Sequence, residues 1–500
     1  MSAYPKRGRS RRLLASGLAV ISIVFAGCAG VRGTPATSGL PSASHAKTPI
    51  LCDDNPGHFT PMPANCVVPS MPLAYKTLRP SETPWPKSSS ALPKLGAWRG
   101  SEILRLAPGF QAYVVGVQPD GSIAVLEYTN TGHGFRGAMF AIRPDGKPKP
   151  GWPAAGVPVP VGYGNQVMAK DGTVYVSAVA TGTTSGAPTS IEITAVSPDG
   201  KVLPGWPYQS PAALHDYNSG QLVSGPSGRV CFMDFLPGRA AQDLNEPSAL
   251  YCLGADGQLL PGWPYTSYRP LDHPAFGADG TLYVEQYVET KPGSREIVAL
   301  DPAGKPVAGW TPWIVPTLMV SPIVVAPDGR VYLAVYGMSG GELVTLAADG
   351  TLASKKRLAF PTDQNFQQMA TAADGSLYVS TFDSGDLGLF GKTAAHVSAF
   401  SPDRSAKPGW PAAVDGPASI FPSPDGSVWT TWQIWGNGRV TDQAMAVFEP
   451  NGTLRSGFPM ETPDLGNAVL RGNGLVFDSS GNAYAIMYAR SGYSVAKIQM

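Results

Sequence analysis

From about residue 93 onward, short runs rich in Val, Ile, Leu and Tyr alternate with tight polar turns, and two turn patterns recur in strict alternation. The first is Asp-Gly followed by an apolar, aromatic, apolar triplet, as in Asp171-Gly172-Thr173-Val174-Tyr175-Val176, and again at Asp279, Asp328 and Asp374. Weaker copies surround Asp120, Ser227, Asp425 and Ser480, so eight copies follow one another at a spacing of about 51 residues. The second pattern is a run ending in Pro-Asp-Gly, then Gly-Trp-Pro: Pro144-Asp145-Gly146 to Trp152-Pro153, Pro198-Asp199-Gly200 to Trp206-Pro207, and Ala255-Asp256-Gly257 to Trp263-Pro264. Variants end at Trp310, Trp410-Pro411 and Phe458-Pro459, and the copy at Asp349-Gly350 lacks the tryptophan.

Asp-Gly between β-rich runs marks a hairpin, because glycine accepts positive φ without steric cost. Two hairpins per period make four short strands, which is a propeller blade. Naming the strands A to D from the axis outward, the first pattern is the A–B turn and the second the C–D turn. Gly-Trp-Pro is expected on or just after strand D, where an edge tolerates proline, with its tryptophan packed between blades. The last repeat has B (Asn482–Met487) and C (Ser494–Ile498) but no D, while Pro93-Lys94-Leu95-Gly96-Ala97-Trp98 resembles a stray copy of the C–D segment at Lys147–Trp152. The predicted fold is therefore all-β: an eight-bladed β-propeller of four-stranded antiparallel blades, spanning 93–500, its ring closed by an N-terminal strand in the last blade.

Composition agrees with this reading. Of 500 residues, 58 are Gly and 50 Pro, only 15% are charged and 43% are hydrophobic, which suits a turn-rich protein with a large core and excludes wholesale disorder.

Ahead of the repeats the chain changes character. Residues 1–27 carry Lys6, Arg7, Arg9, Arg11 and Arg12, then an apolar run from Leu13 to Ala26 that is too short to span a bilayer. This predicts a signal peptide, with Ser10-Arg11-Arg12-Leu13-Leu14 leaving the twin-arginine route open beside the general one. Phe25-Ala26-Gly27-Cys28 resembles a bacterial lipobox, which implies a lipid on Cys28 and a membrane-anchored, extracytoplasmic product in the cell envelope. Residues 28–92, dominated by Ala, Ser, Thr, Pro and Gly, read as a tether. Cleavage removes five of the 37 basic residues and none of the 36 acidic ones, so the mature charge is −4 and there is no electrostatic footprint for nucleic acid. With Cys28 assigned, Cys52 with Cys66 and Cys231 with Cys252 are possible disulfides, free thiols being the alternative.

The Asp171–Val176 stretch and its copies, with the C strand Ala299-Leu300-Asp301-Pro302-Ala303-Gly304, resemble the PQQ-like, quinoprotein-type propeller repeats of bacteria. The resemblance implies an exported propeller similar to the barrel-assembly scaffold lipoprotein of the outer membrane. The adjacent cysteine pair and the calcium and quinone ligands of the dehydrogenase members have no counterpart here, so catalysis is not carried over.

Function is expected on the face of the B–C and D–A connections, which vary in length while the opposite face repeats uniform hairpins. His215-Asp216 and Asp272-His273 occupy equivalent D–A connections of successive blades and are candidates for a metal or an acid–base pair, against ordinary loop hydrogen bonding. Gln364 and Asn365 enter another blade at the same face, and Trp435, beside Gly436-Asn437-Gly438, is a candidate stacking platform for a sugar or peptide. No nucleophile elbow, phosphate loop or metalloprotease motif occurs. The expectation is a monomeric, non-catalytic binding protein or scaffold for a protein, peptide or glycan, with no cofactor. The alternative is a divergent PQQ-dependent oxidoreductase, or a glycan-active hydrolase or lyase, with a divalent metal as an option.

Overall fold

The Asp-Gly turns close by the same local chemistry, except at Asp199-Gly200, where the Lys201 N–H donates to Ser197 Oγ instead. In the computed structural model of the chain, an aspartate Oδ1 accepts the backbone N–H two residues on, as Asp171 does from Thr173 (2.9 Å) and Asp256 from Gln258 (3.1 Å). Those carboxylates are thus engaged inside their own turns. The structure describes residues 50–51, 66–67, 92, 94–106, 109–130, 135–161, 166–179, 190–211, 221–235, 248–267, 270–288, 294–315, 320–337, 340–353, 358–359, 364–383, 394–436, 439–462, 474–489 and 492–498.

The chain falls into two units, residues 1–69 and 70–500. In the first, Ile50–Leu51 pairs in parallel with Cys66–Val67. The second is the propeller. Blade 1 is built from Gln111–Val117, Ile123–Asn130, Phe135–Ile142 and Val157–Val159, hydrogen-bonded in that order, and blades 2 to 7 repeat the plan. Blade 8 takes Leu475–Phe477, Ala483–Ala489 and Gly492–Ile498 from the end of the chain and Gly100–Arg105 as its fourth strand. The first strands touch one another in turn, from Leu475–Phe477 to Gln111–Val117 and on to Ala418–Pro422, and Trp429, Phe458, Leu475 and Ala485 pack blade 7 on blade 8. The ring is therefore an eight-bladed β-propeller with its first strands innermost. Among the described residues no helix is long and apolar enough to cross a membrane.

The tryptophans do pack between blades, but Gly-Trp-Pro does not lie on or after the fourth strand. Trp152 precedes Val157–Val159 and Trp206 precedes Tyr208–Gln209. After the third strand the chain folds back at once, bridging Ile142 to Pro148, and then turns again through Gly151 at φ 87°, with Trp152 N–H on Lys149 O. The prolines are tolerated because they belong to this connection, whose backbone is already committed to turns, rather than because they sit on an edge. From there each indole N–H donates to a carbonyl on the next blade's C–D turn: Trp152 to Pro198 O (2.8 Å), Trp206 to Ala255 O (3.1 Å), Trp263 to Pro302 O (3.1 Å) and Trp410 to Pro450 O (3.2 Å). The next blade's turn glycine lies flat under the ring. At Gly200 (φ 73°) an added Cβ would fall 2.6 Å from the Trp152 indole. Trp310 departs from the rule and donates to Ile297 O of its own blade.

Closure uses more than one strand. Gly100–Arg105 runs antiparallel to Gly492–Ile498, with a bulge between Glu102 and Leu104. Just before it, Gly96 bridges in parallel to Met460 of blade 7, its N–H on Pro459 O and its carbonyl accepting from Glu461 N–H.

Candidate functional site

Strand direction puts the start of every first strand, the end of every second and the start of every third at one end of the ring, the end of the variable connections. On blade 4 that end carries an ionisable cluster. Asp272 and His273 lie near the start of the inner strand Leu271–Phe276, not in the connection before it as expected, while Glu285 to Tyr287 end Leu282–Tyr287 and Arg295 begins Arg295–Leu300. A bulge between Asp272 and Ala275 breaks the register, and His273 takes φ 49° ahead of Pro274. A left-handed, non-glycine residue before proline is disfavoured on both counts. The other described non-glycine residues with positive φ, Ser227 and Arg404, sit in hairpin turns, so His273 is the one held that way within a strand.

Glu285 holds the cluster together. It is fully buried, its Oε2 lies 3.1 Å from His273 Nδ1, and its Oε1 accepts from Arg295 Nη1. Arg295 Nη2 also donates to the Tyr287 hydroxyl (2.7 Å), and its Nε is buried without a hydrogen-bond partner. Asp272 Oδ1 accepts the His273 backbone N–H (2.9 Å) and lies 3.7 Å from His273 Nε2. Burial opposes the charged imidazole, but the bond to Glu285 and the charge of Asp272 outweigh it, so the His273 pKa is raised. Burial pushes the Asp272 carboxyl up as well, and also the Tyr287 phenol. A buried carboxylate that orients an imidazole beside a half-exposed acid can move a proton or hold a hydrogen-bonding ligand.

The remaining expectations distribute as follows. His215 and Asp216 lie outside the described residues, so nothing joins them to Asp272 and His273 here. Gln364 begins the inner strand of blade 6, its Oε1 accepting from Thr381 Oγ1 (2.8 Å), with Asn365 half-buried beside it. Trp435 lies in strand Val428–Gly436 with its side chain outside the described residues, and Trp432 is buried at 1% exposure. Cys231 and Cys252 stand opposite each other on neighbouring strands and are joined by a disulfide. Cys28, Cys52 and the Cys66 side chain lie outside the described residues. On the same face, blade 1 stacks Tyr113 on Tyr128 (5.5 Å between centroids), whose hydroxyl donates to Gln111 Oε1 (2.6 Å). Away from that mouth, a cavity of about 510 Å³ opens at the seam between blades 8 and 1, lined by Leu104, Phe110, Glu127, Phe140 and Trp152.

Sequence reasoning missed Glu285, Arg295 and Tyr287, although a signal existed. Aligning the eight A–B turns puts Leu126, Ser177, Met233, Glu285, Ala334, Ser380, Thr431 and Ile486 in one column. Glu285 is the only charge in it.

No protein-family model matches the sequence, and no curated protein matches it. Solved structures resemble it distantly. Prolyl oligopeptidase B from Galerina marginata is 11% identical with a TM-score of 0.42, over 77% of this chain and 54% of that one. Dipeptidyl peptidase 4 from Porphyromonas gingivalis is 12% identical with a TM-score of 0.41, over 77% and 56%. Regucalcin from Agrobacterium tumefaciens, a calcium-binding protein, is 14% identical with a TM-score of 0.30, over 54% and 81%. The chain spans about half the length of either peptidase. At this distance nothing about activity passes from them to this protein.

Proposed function

We propose that this protein is an exported, lipid-anchored propeller of the PQQ-like repeat type that binds a protein, peptide or glycan partner without transforming it. The observation that carries the reading is the contrast between the two faces. One is eight variations on a single hairpin, seven of which carry an aspartate that accepts a backbone N–H of its own turn. The other gathers Gln111, Tyr128, Asp272, His273, Gln364 and Thr381 at the ends of rigid strands. Strand ends on a rigid scaffold hold side chains at fixed separations, which favours recognition. The anchor rests on the lipobox-like Phe25–Cys28 alone.

Two experiments test this. Cys28→Ser should move the protein from the membrane to the soluble fraction, and an unmutated chain that is already soluble ends the anchor reading. Peptide and glycan arrays probed with the purified protein should give ligands whose signal is lost in Gln111→Ala/Gln364→Ala but kept in Asp145→Ala/Lys147→Ala on the hairpin face. The reverse pattern overturns the choice of face. The imidazole held on a buried carboxylate favours a second reading, a glycan-active enzyme. Turnover of an array ligand, abolished by His273→Asn, would establish it in place of the first.

A further inference from the structure

The blade 4 cluster holds two carboxylates, Asp272 and Glu285, against one permanent cation, Arg295. Arg295 is committed to Glu285. The excess negative charge therefore falls on Asp272, whose side chain is 37% exposed on the innermost ring of strands. Beyond the His273 backbone N–H that Oδ1 accepts, its nearest ionisable partner is the His273 ring. Nδ1 of that ring meets Glu285 Oε2, which can only accept, so Nδ1 carries the hydrogen and Nε2 of the neutral imidazole is a bare lone pair. That lone pair lies 3.7 Å from Asp272 Oδ1. Two acceptors facing each other need a donor: a proton on Nε2, or an N–H from outside. Acceptors at this separation can both lie about 2.9 Å from one ammonium nitrogen.

We propose that Asp272 and His273 form a receptor for a protonated primary amine at the channel mouth, filled in exchange for the proton on His273 Nε2. The proposal rests on the variable face being the binding face and names the ligand chemistry there. When the amine enters, its ammonium donates to Asp272 and to Nε2, and the displaced proton leaves to solvent. The charged groups acting on the ring are Asp272 on its own strand, Glu285 on the second and Arg295 on the third, while Tyr287 and, from blade 5, Tyr336 interact with Glu285 and Arg295. The raised pKa of His273 agrees, since the proton is the resident occupant of the gap. A lysine side chain and a free amino sugar present the same group.

Calorimetric titration of the full-length protein with Nα-acetyl-lysine methylamide and with glucosamine separates those sources. Their neutral counterparts, the Nε-acetylated lysine and N-acetylglucosamine, are the controls. Repeating each titration in buffers of different ionisation heat counts protons. The expected result is binding by at least one amine, little by either control, and a release of nearly one proton at pH 6 that shrinks as pH rises, turning to proton uptake for glucosamine once its own amino group is largely neutral. Affinity should fall about tenfold per pH unit on the acid side. Asp272→Asn should weaken binding at least tenfold. His273→Asn, chosen because asparagine tolerates left-handed backbone, should remove the proton release without unfolding the blade. Equal binding of the acetylated controls, no proton released at pH 6, or preference for an anion such as glucuronate would overturn the proposal. Partner capture that needs Gln364 while no amine binds would sink this inference and leave the broader reading standing. Amine binding alongside partner capture indifferent to this face would do the opposite.

Discussion

Removing the Trp152 indole tests whether successive blades are fastened through the C–D connection. The ring is 9% exposed, packs with Val157, Val174 and Val196, donates 2.8 Å to Pro198 O, and covers Gly200. Trp152→Ala should cost about 3–5 kcal/mol, from lost burial and the cavity left behind. Gly200→Ala carries two penalties. A left-handed backbone (φ 73°) costs about 1–2 kcal/mol for any residue with a Cβ, and the new methyl would lie 2.6 Å from the indole. Only the first penalty survives once the indole is gone, so the double mutant should be more stable than the sum of the singles predicts, by about 1–2 kcal/mol. Urea unfolding followed by far-UV circular dichroism measures all four corners of the cycle. Additivity within about 0.5 kcal/mol, or a Trp152→Ala cost below about 1 kcal/mol, would refute the fastening and leave the recurring spacing without a packing role in this blade.

Three further outcomes are expected. Replacing Cys231 and Cys252 by alanine should lower stability by about 3 kcal/mol, the loop-closure value for a separation near 21 residues, and mass spectrometry with and without reductant checks that the bond forms. Side-chain hydrogen bonds from Arg330, Thr351 and Ser405 hold Asp328, Asp349 and Asp403 below the usual carboxylate range. Their stabilisation is complete above the unfolded pKa and lost as pH falls through the folded one, so melting temperature should be level above about pH 5 and drop below about pH 4. A melting curve that rises on acidification past pH 4 would contradict the turn chemistry. Truncation to residue 92 should leave a monodisperse propeller. Truncation to residue 106 bares the edge of Gly492–Ile498 and should give aggregates by light scattering.

The eight blades were legible because their signals are local. Asp-Gly turns, Gly-Trp-Pro connections and apolar strands each declare themselves within ten residues, and the period does the rest. Phe458-Pro459, where tryptophan is replaced, still occupies the same connection, with Phe458 packed on Trp429. The placement of Gly-Trp-Pro was misjudged because proline suggested an edge, whereas a second left-handed glycine, Gly151, had already turned the chain. The site was only half legible. Asp272 and His273 stood out as a histidine–aspartate pair expected in a D–A connection, but Glu285 and Arg295 occupy ordinary strand positions. Their meeting depends on the pairing of Glu285 with Ile297 and of Tyr287 with Arg295, a tertiary register that no single strand reports.

The N-terminal entry to the ring has a mechanical consequence. Tension applied to the chain before residue 94 does not reach a lone edge strand. It meets first the two hydrogen bonds that hold Gly96 beside Met460, then the run from Gly100 to Arg105 laid along Gly492–Ile498. The first contact is on blade 7 and the second on blade 8, so the incoming chain is a strap sewn across the seam between them. A pull along the strap shears its hydrogen bonds together instead of peeling them one at a time. Traction at the end where the ring is closed therefore loads two blades at once.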